Sequence, residues 1–211
     1  MVALLAGCGP SSHRPTQPGA PAARAGGAGG GGPAGDGQGV EGGEEGAVGP
    51  ELVNAAPAAT PASAGAATSE AEAIVVAHNR IRATHCAPPL TWSPKVAAVA
   101  QKWAETLRDR SCAFEHSHGS YGENLAAGSS GSIDPAGVVA MWTDEEKAYD
   151  SAHPGFSMEA GHFTQVVWKG TTQVGCGHVR CGGMDVWVCN YDPPGNYEGE
   201  FPANVHMAGC K

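Results

Sequence analysis

Two histidines and two glutamates stand in apolar company along this chain: His78, Glu123, Glu145 and His162. Imidazole and carboxylate are the usual nitrogen and oxygen ligands of zinc, so together the four could make a divalent-metal site. Glu145 is the most informative. Val138, Trp142, Glu145 and Tyr149 are spaced by four, three and four, which places them on one helical face. A carboxylate inside a core-facing stripe is costly unless it is paired, binds a cation, or reaches water at the stripe's edge, as Asp144 and Glu146 are expected to do. His78 lies one turn after Ile74, and a lone histidine on an apolar face is more often a satisfied core residue than a ligand. Arg82, one turn further on, is expected to reach solvent. His162 follows Gly161 at the start of an expected strand, and Glu123 sits in the glycine-containing loop Tyr121-Gly122-Glu123-Asn124-Leu125. No local spacing joins the four, so only the fold can bring them together.

Several elements must position them. Ser69-Glu70-Ala71-Glu72 has the form of a capping box and predicts the start of a first helix, which ends before Cys86. Ser93-Pro94 predicts an N-cap followed by proline at the first helical position. The stripe Val96, Val99, Ala100, Trp103 and Leu107 then has helical spacing. Asp134-Pro135 predicts a third helix running to about Tyr149. Beyond Gly161 the period changes to two, and residues 162–169, 172–180 and 184–191 read as strands rich in Val, Trp and Thr. Cys181-Gly182-Gly183 turns the last two into a hairpin. Helices followed by antiparallel strands predict an α+β domain.

Composition divides the chain sharply. Of residues 1–69, 42 are Gly, Ala or Pro and none is aromatic, whereas all 13 aromatics lie between Trp92 and Phe201. So few large side chains cannot offset conformational entropy, so residues 9–69 are expected to be a disordered tether before a domain at 70–211. The glycine run 26–32 follows no strand and opens no helix, which excludes a phosphate loop. A net charge of −9 offers no basic patch for nucleic acid. No apolar run approaches the ~20 residues of a transmembrane helix.

Six of the seven cysteines fall in the domain, which points to three disulfides and an oxidising compartment. No Cys-x-x-Cys pair favours structural zinc instead. The seventh, Cys8, closes Leu5-Ala6-Gly7-Cys8, which has the small-residue form of a bacterial lipoprotein processing site. Only seven residues precede it, against roughly 15–30 in a secretory signal. Either the true start lies upstream or the tetrapeptide is chance. The first is favoured, making residues 1–8 a signal remnant and Cys8 an acylated anchor.

Four ordered motifs resemble those of the CAP family, the cysteine-rich secretory, antigen 5 and pathogenesis-related class 1 proteins. They are His78-Asn79-Arg80-Ile81-Arg82, Gly122-Glu123-Asn124-Leu125, the run Gly161 through Trp168, and the run Cys189 through Tyr197. The resemblance spans roughly residues 71–202 and points to a bacterial lipoprotein-like member. It implies a three-layer α-β-α sandwich with a central antiparallel sheet. It also implies that the family's cleft tetrad falls on His78, Glu123, Glu145 and His162, holding a divalent cation such as zinc. The plant members' arrangement implies Cys112–Cys181 and Cys176–Cys189, which leaves Cys86–Cys210 as the third pair. His116-Ser117-His118 is a further candidate metal pair, but His116 matches a family position beside Cys112, so packing is the favoured reading.

Three functions follow as expectations. The favoured one is a monomeric, secreted or surface-tethered binding module for a lipid, sterol-like or other extracellular ligand. The second is a metal-assisted hydrolase with Glu145 or Glu123 as general base. The third is a structural envelope protein. The chain lacks a His-Glu-x-x-His motif, and Gly128-Ser129-Ser130-Gly131 lacks the setting of a nucleophile elbow, both of which weigh against an enzyme.

Overall fold

The computed structural model describes residues 3–5 and 61–210. Cys8 and most of the expected tether lie outside the described residues. The first helix, α1 (Pro61–Thr84), begins ahead of the expected capping box, so Ser69 stands inside a helix and residues 61–69 belong to α1 and not to the tether. The short strand β2 (Thr91–Trp92) follows, then α2 (Pro94–Asp109), which starts with Ser93 at its N-cap and proline at its first position. Next come β3 (Gly122–Ser129) and α3 (Pro135–Thr143), whose N-cap Asp134 accepts a 2.7 Å hydrogen bond from the Gly137 amide. Here α3 gives way to a 3-10 segment, Asp144–Ala148.

Residues 161–167 depart most from expectation. They form a helix, α4 (Gly161–Val167), and not a strand. The two remaining strands, β4 (Gln173–Cys181) and β5 (Met184–Asp192), make the expected hairpin, and Gly182 and Gly183 both take positive φ at its two-residue turn. The last element is α5 (Phe201–Asn204).

The sheet runs β3-β5-β4-β2, with the three long strands antiparallel and two-residue β2 parallel to β4 at one edge. A strand near the chain's start, β1 (Ala3–Leu5), pairs antiparallel with β3 at the other edge. Strand alternation sorts the core into two layers. Val186 and Val188 of β5 face one cluster with Ala100, Ala104 and Leu107 of α2. Trp187, Cys189 and Tyr191 face the other, with Ile74 of α1, Val138 and Trp142 of α3, and Phe163 and Val166 of α4. The result is an α+β sandwich with helices on both faces of the sheet.

Two glycines bring α2 against β4. A Cβ at Gly175 would collide with the Ala97 backbone, and one at Gly177 with the Gln101 backbone. Three disulfides close the domain: Cys86–Cys210, Cys112–Cys181 and Cys176–Cys189. The last joins directly opposed residues of β4 and β5. The first ties the C-terminal segment to the end of α1, where the Gly209 amide also bonds to Thr84 O at 3.0 Å.

Arg82, expected in solvent, is fully buried. Its Nε donates to Pro88 O (2.7 Å), Nη1 to Val166 O (2.8 Å) and Trp168 O (2.9 Å), and Nη2 to Thr171 O (2.9 Å). Burial lowers its pKa to about 10, which leaves it cationic at neutral pH. Replacing it strands several buried carbonyls, so Arg82→Met should cost about 3–5 kcal/mol in urea unfolding, and Arg82→Lys, lacking the planar fork, should recover little of it. A loss below about 1 kcal/mol for Arg82→Met would contradict this role.

Candidate functional site

Glu145 and His162 meet. His162 Nδ1 lies 2.7 Å from Glu145 Oε1, while the backbone amides of His162 and Phe163 donate to Glu145 Oε2 at 3.0 and 3.3 Å. The local reason is that α4 starts after Ala160, a residue with no side chain to cap it. Its first amides need an acceptor, and the carboxylate of Glu145 supplies one from the 3-10 segment. The stripe reading of Glu145 therefore holds: Val138, Trp142 and Tyr149 are buried, and the Glu145 side chain is 12% exposed. Its partner is a helix end together with an imidazole.

The carboxylate sets the histidine's tautomer. With the Nδ1 proton directed at Glu145, Nε2 carries a lone pair, and that buried atom has no hydrogen-bond partner. This is the arrangement of a metal-ligating histidine, whose far nitrogen is oriented by a carboxylate. The His162 ring also stacks on Trp142, with centroids 6.3 Å apart and planes 17° from parallel.

His78 occupies the same side of the sheet, but in a different role. Its ring is fully buried, with Nδ1 2.8 Å from Ile74 O and Nε2 2.9 Å from the Tyr191 hydroxyl. Asn124 Nδ2 donates to the same hydroxyl (3.3 Å) and to His162 O (3.2 Å), so Tyr191 and Asn124 connect the two histidines. Both His78 nitrogens are engaged. Its neighbour Asn79 clasps Leu90 with two hydrogen bonds, Nδ2 to Leu90 O (3.0 Å) and Leu90 N to Oδ1 (2.7 Å). With the Arg82 clasp, this makes the 78–82 motif a fastening between α1 and its surroundings.

Glu123 is held by other partners. It lies in β3, not in a loop, on the strand face shared with Leu125 and Ala127, which pack in the α2 layer. Its carboxylate accepts from His116 Nδ1 and from the Ser117 amide, both at 2.8 Å. His116 Nε2 is buried without a hydrogen-bond partner, as His162 Nε2 is. His116 was expected only to pack. Its signal in the sequence was the seven-residue reach to Glu123, which no periodicity rule singles out. The structure thus sets two of the candidate histidines on candidate glutamates, His162 on Glu145 and His116 on Glu123, beside the further imidazole–carboxylate pairs His85–Glu146, His153–Asp150 and His178–Asp185. Among the described residues no group of three or more His, Cys, Asp or Glu is placed to hold a metal ion.

The two long sequence motifs meet at α4. Thr164 Oγ1 donates to Asn196 Oδ1 (2.7 Å), Asn196 Nδ2 to Gly161 O (2.9 Å), and the Gly195 amide to Gln165 Oε1 (2.9 Å). No described helix is long and apolar enough to cross a membrane.

Comparisons with known proteins agree with this fold. The model of the cysteine-rich secretory protein family, CAP, matches residues 75–191. Pathogenesis-related protein 1A of Nicotiana tabacum is 50% identical over 129 residues, covering 60% of this chain and 76% of the relative. Protein PRY2 of Saccharomyces cerevisiae is 49% identical over 131 residues, covering 61% of this chain and 38% of that protein. Among solved structures, NaASP2 with Zn2+ superposes with a TM-score of 0.53 at 25% identity, covering 66% of this chain and 86% of that one. These relatives are from plants and yeast, or carry no source in their description, and none supports the expected bacterial lipoprotein-like character.

Burial fixes a pH dependence at His78. Its pKa falls from 6.5 to about 4, chiefly by desolvation, against the hydrogen bond to Ile74, which works to raise it. The folded ring therefore stays neutral while the unfolded chain takes up a proton below about pH 6.5, so stability is lost as pH falls from 6.5 toward 4. The full loss from this ring is about 3 kcal/mol. The stability gap between wild type and His78→Gln, measured by urea unfolding, should accordingly shrink by about that amount from pH 7.5 to pH 4. A gap that does not change with pH would contradict it.

Proposed function

We propose, from the premise that this chain belongs to the CAP family of cysteine-rich secretory proteins, that it is an extracellular binding module that takes a divalent cation at His162. The observation that carries the reading is the buried, partnerless His162 Nε2, whose ring is oriented through Nδ1 by Glu145. His116 on Glu123 is a second donor of the same construction. His78, given to the cation by the sequence motif, fits less well, because Tyr191 and Ile74 hold both its nitrogens. A related structure at 25% identity is described as containing Zn2+, which supports zinc as the cation. A bound cation would supply a fixed positive charge to a domain rich in acidic groups. The residues themselves orient the imidazole, exclude water from Nε2 and hold the proton on Nδ1.

Three disulfides support an oxidising compartment, and with the family they support secretion. The ligand read with this module is an extracellular apolar molecule of the lipid or sterol-like class. The tetrapeptide Leu5-Ala6-Gly7-Cys8 supports a lipid anchor at Cys8. The hydrolase reading gains nothing from the geometry. Glu145 already accepts three hydrogen bonds as helix cap and orienter, which leaves it poorly placed to act as a general base.

Calorimetric titration with zinc chloride tests the cation. Wild type should bind, His162→Ala should weaken binding at least tenfold, and His78→Gln should change it less than threefold. Equal binding by wild type and His162→Ala would overturn the assignment. Mass spectrometry of protein from its native envelope tests the anchor, and an unmodified Cys8 would end that part of the reading.

A further inference from the structure

The segment that follows α5 is fastened at three points beside the end of α1. Cys210 is bonded to Cys86, the Gly209 amide donates to Thr84 O at 3.0 Å, and the Ala208 amide donates to Glu146 Oε1 at 3.3 Å. Ahead of these points Val205 is buried and Met207 half-buried, both packed with the core cluster that joins α1, α3 and α4. The disulfide is the covalent fastening of the three, and it bridges a separation of 124 residues.

The middle contact leads to the candidate site. Glu146 lies in the 3-10 segment next to Glu145, whose carboxylate caps α4 and orients His162. The same Glu146 Oε1 stands 3.1 Å from Nε2 of His85, a buried residue whose ring makes an edge contact with Phe163 at a centroid distance of 5.4 Å. Phe163 is the third residue of α4, and its amide is one of those that Glu145 takes. Through one carboxylate the segment therefore touches both the turn that carries the cap and a residue packed on the capped helix.

The three disulfides differ in access. Cys86 is exposed and Cys210 half-buried, whereas Cys189 is fully buried and Cys181 is 9% exposed. Cys176 and Cys189 are also opposed residues of β4 and β5, so the strand ladder keeps that pair together when its bond opens. Thiol–disulfide exchange depends on access to the sulfurs, and exposed disulfides are the labile ones. We propose that Cys86–Cys210 is a redox latch: a dithiol reductant opens it ahead of the other two, frees residues 208–210 from Glu146, and loosens the Glu145 cap that orients His162. A thiolate of the reductant attacks one sulfur and forms a mixed disulfide, which the reductant's second thiol then resolves. Two electrons and two protons pass to the protein, so Cys86 and Cys210 end as thiols and the reductant as a disulfide. The latch stands on the contacts above, and its effect on the cation rests on the His162 reading.

Treatment of the full chain with graded dithiothreitol, then iodoacetamide and peptide mass spectrometry, reads the order of opening. Cys86 and Cys210 should be alkylated at a dithiothreitol concentration at least tenfold below that needed for the other four domain cysteines. In 1H–15N spectra of the opened protein the His162 and Phe163 amides should move, while that of Val188 in β5 stays in place. Cys86→Ser/Cys210→Ser should reproduce those shifts without reductant. Glu146→Ala should move the same two amides with the disulfide intact, which assigns the effect to the Glu146 contact. Zinc affinity should fall at least fivefold in the double variant. Concurrent alkylation of all six cysteines, or unmoved His162 and Phe163 amides, would overturn the latch. A wild type that binds no zinc would end the cation reading alone, and the amide shifts would still decide the latch.

Discussion

A seven-residue helix with every residue buried cannot satisfy its own ends, and α4 is such a helix. Its first amides and last carbonyls have no intrahelical partners and are shielded from solvent by burial. Glu145 reaches the first from the 3-10 segment, and Arg82 reaches the last from α1. The charges match the helix dipole, with the anion at the N-terminus and the cation at the C-terminus. Removing either leaves several buried polar groups unpaired at once, so the placement of α4 rests on both.

The orientation of His162 is a consequence of that capping. One oxygen of Glu145 takes helix amides and the other takes the imidazole proton, so the cap and the histidine's orienter are a single side chain. The segment 193–196 is fastened to the same helix through Asn196 and Gly195. Residues that look like a signature of function are, in large part, the fastenings of one buried helix. Asn79 and Arg82 spend their hydrogen bonds on neighbouring elements, and His78 divides its two between its own helix and Tyr191. Among the described residues, the buried ring nitrogens left without a hydrogen-bond partner are Nε2 of His162, Nε2 of His116, Nε2 of His178 and the indole nitrogen of Trp187.

Much of the frame was legible because its signals are local. Ser93-Pro94 and Asp134-Pro135 mark helix starts whose chemistry lies within a few residues, and Gly182-Gly183 marks a hairpin by its required positive φ. The stripe through Glu145 was legible for the same reason, even though the helix tightens to 3-10 before reaching it. Residues 161–167 misled because Thr, Val and Phe favour strands, and the helix is decided by caps arriving from residues 82 and 145. Strand β3, Gly-Glu-Asn-Leu-Ala-Ala-Gly-Ser, carries little strand propensity and is fixed by its register with β5. Arg82 was expected in solvent because its four acceptors are backbone carbonyls, which leave no mark in a sequence. The pairing of His116 with Glu123 was missed likewise, since the loop conformation alone brings them together.

Glu145 sets the protonation pattern of the His162 ring, and 15N spectroscopy of the histidine side chains reads that pattern directly. In wild-type protein at alkaline pH, His162 should show a protonated Nδ1 and an unprotonated Nε2, and zinc should perturb Nε2 alone. A ring protonated at Nε2, or one that exchanges freely between tautomers, would contradict it.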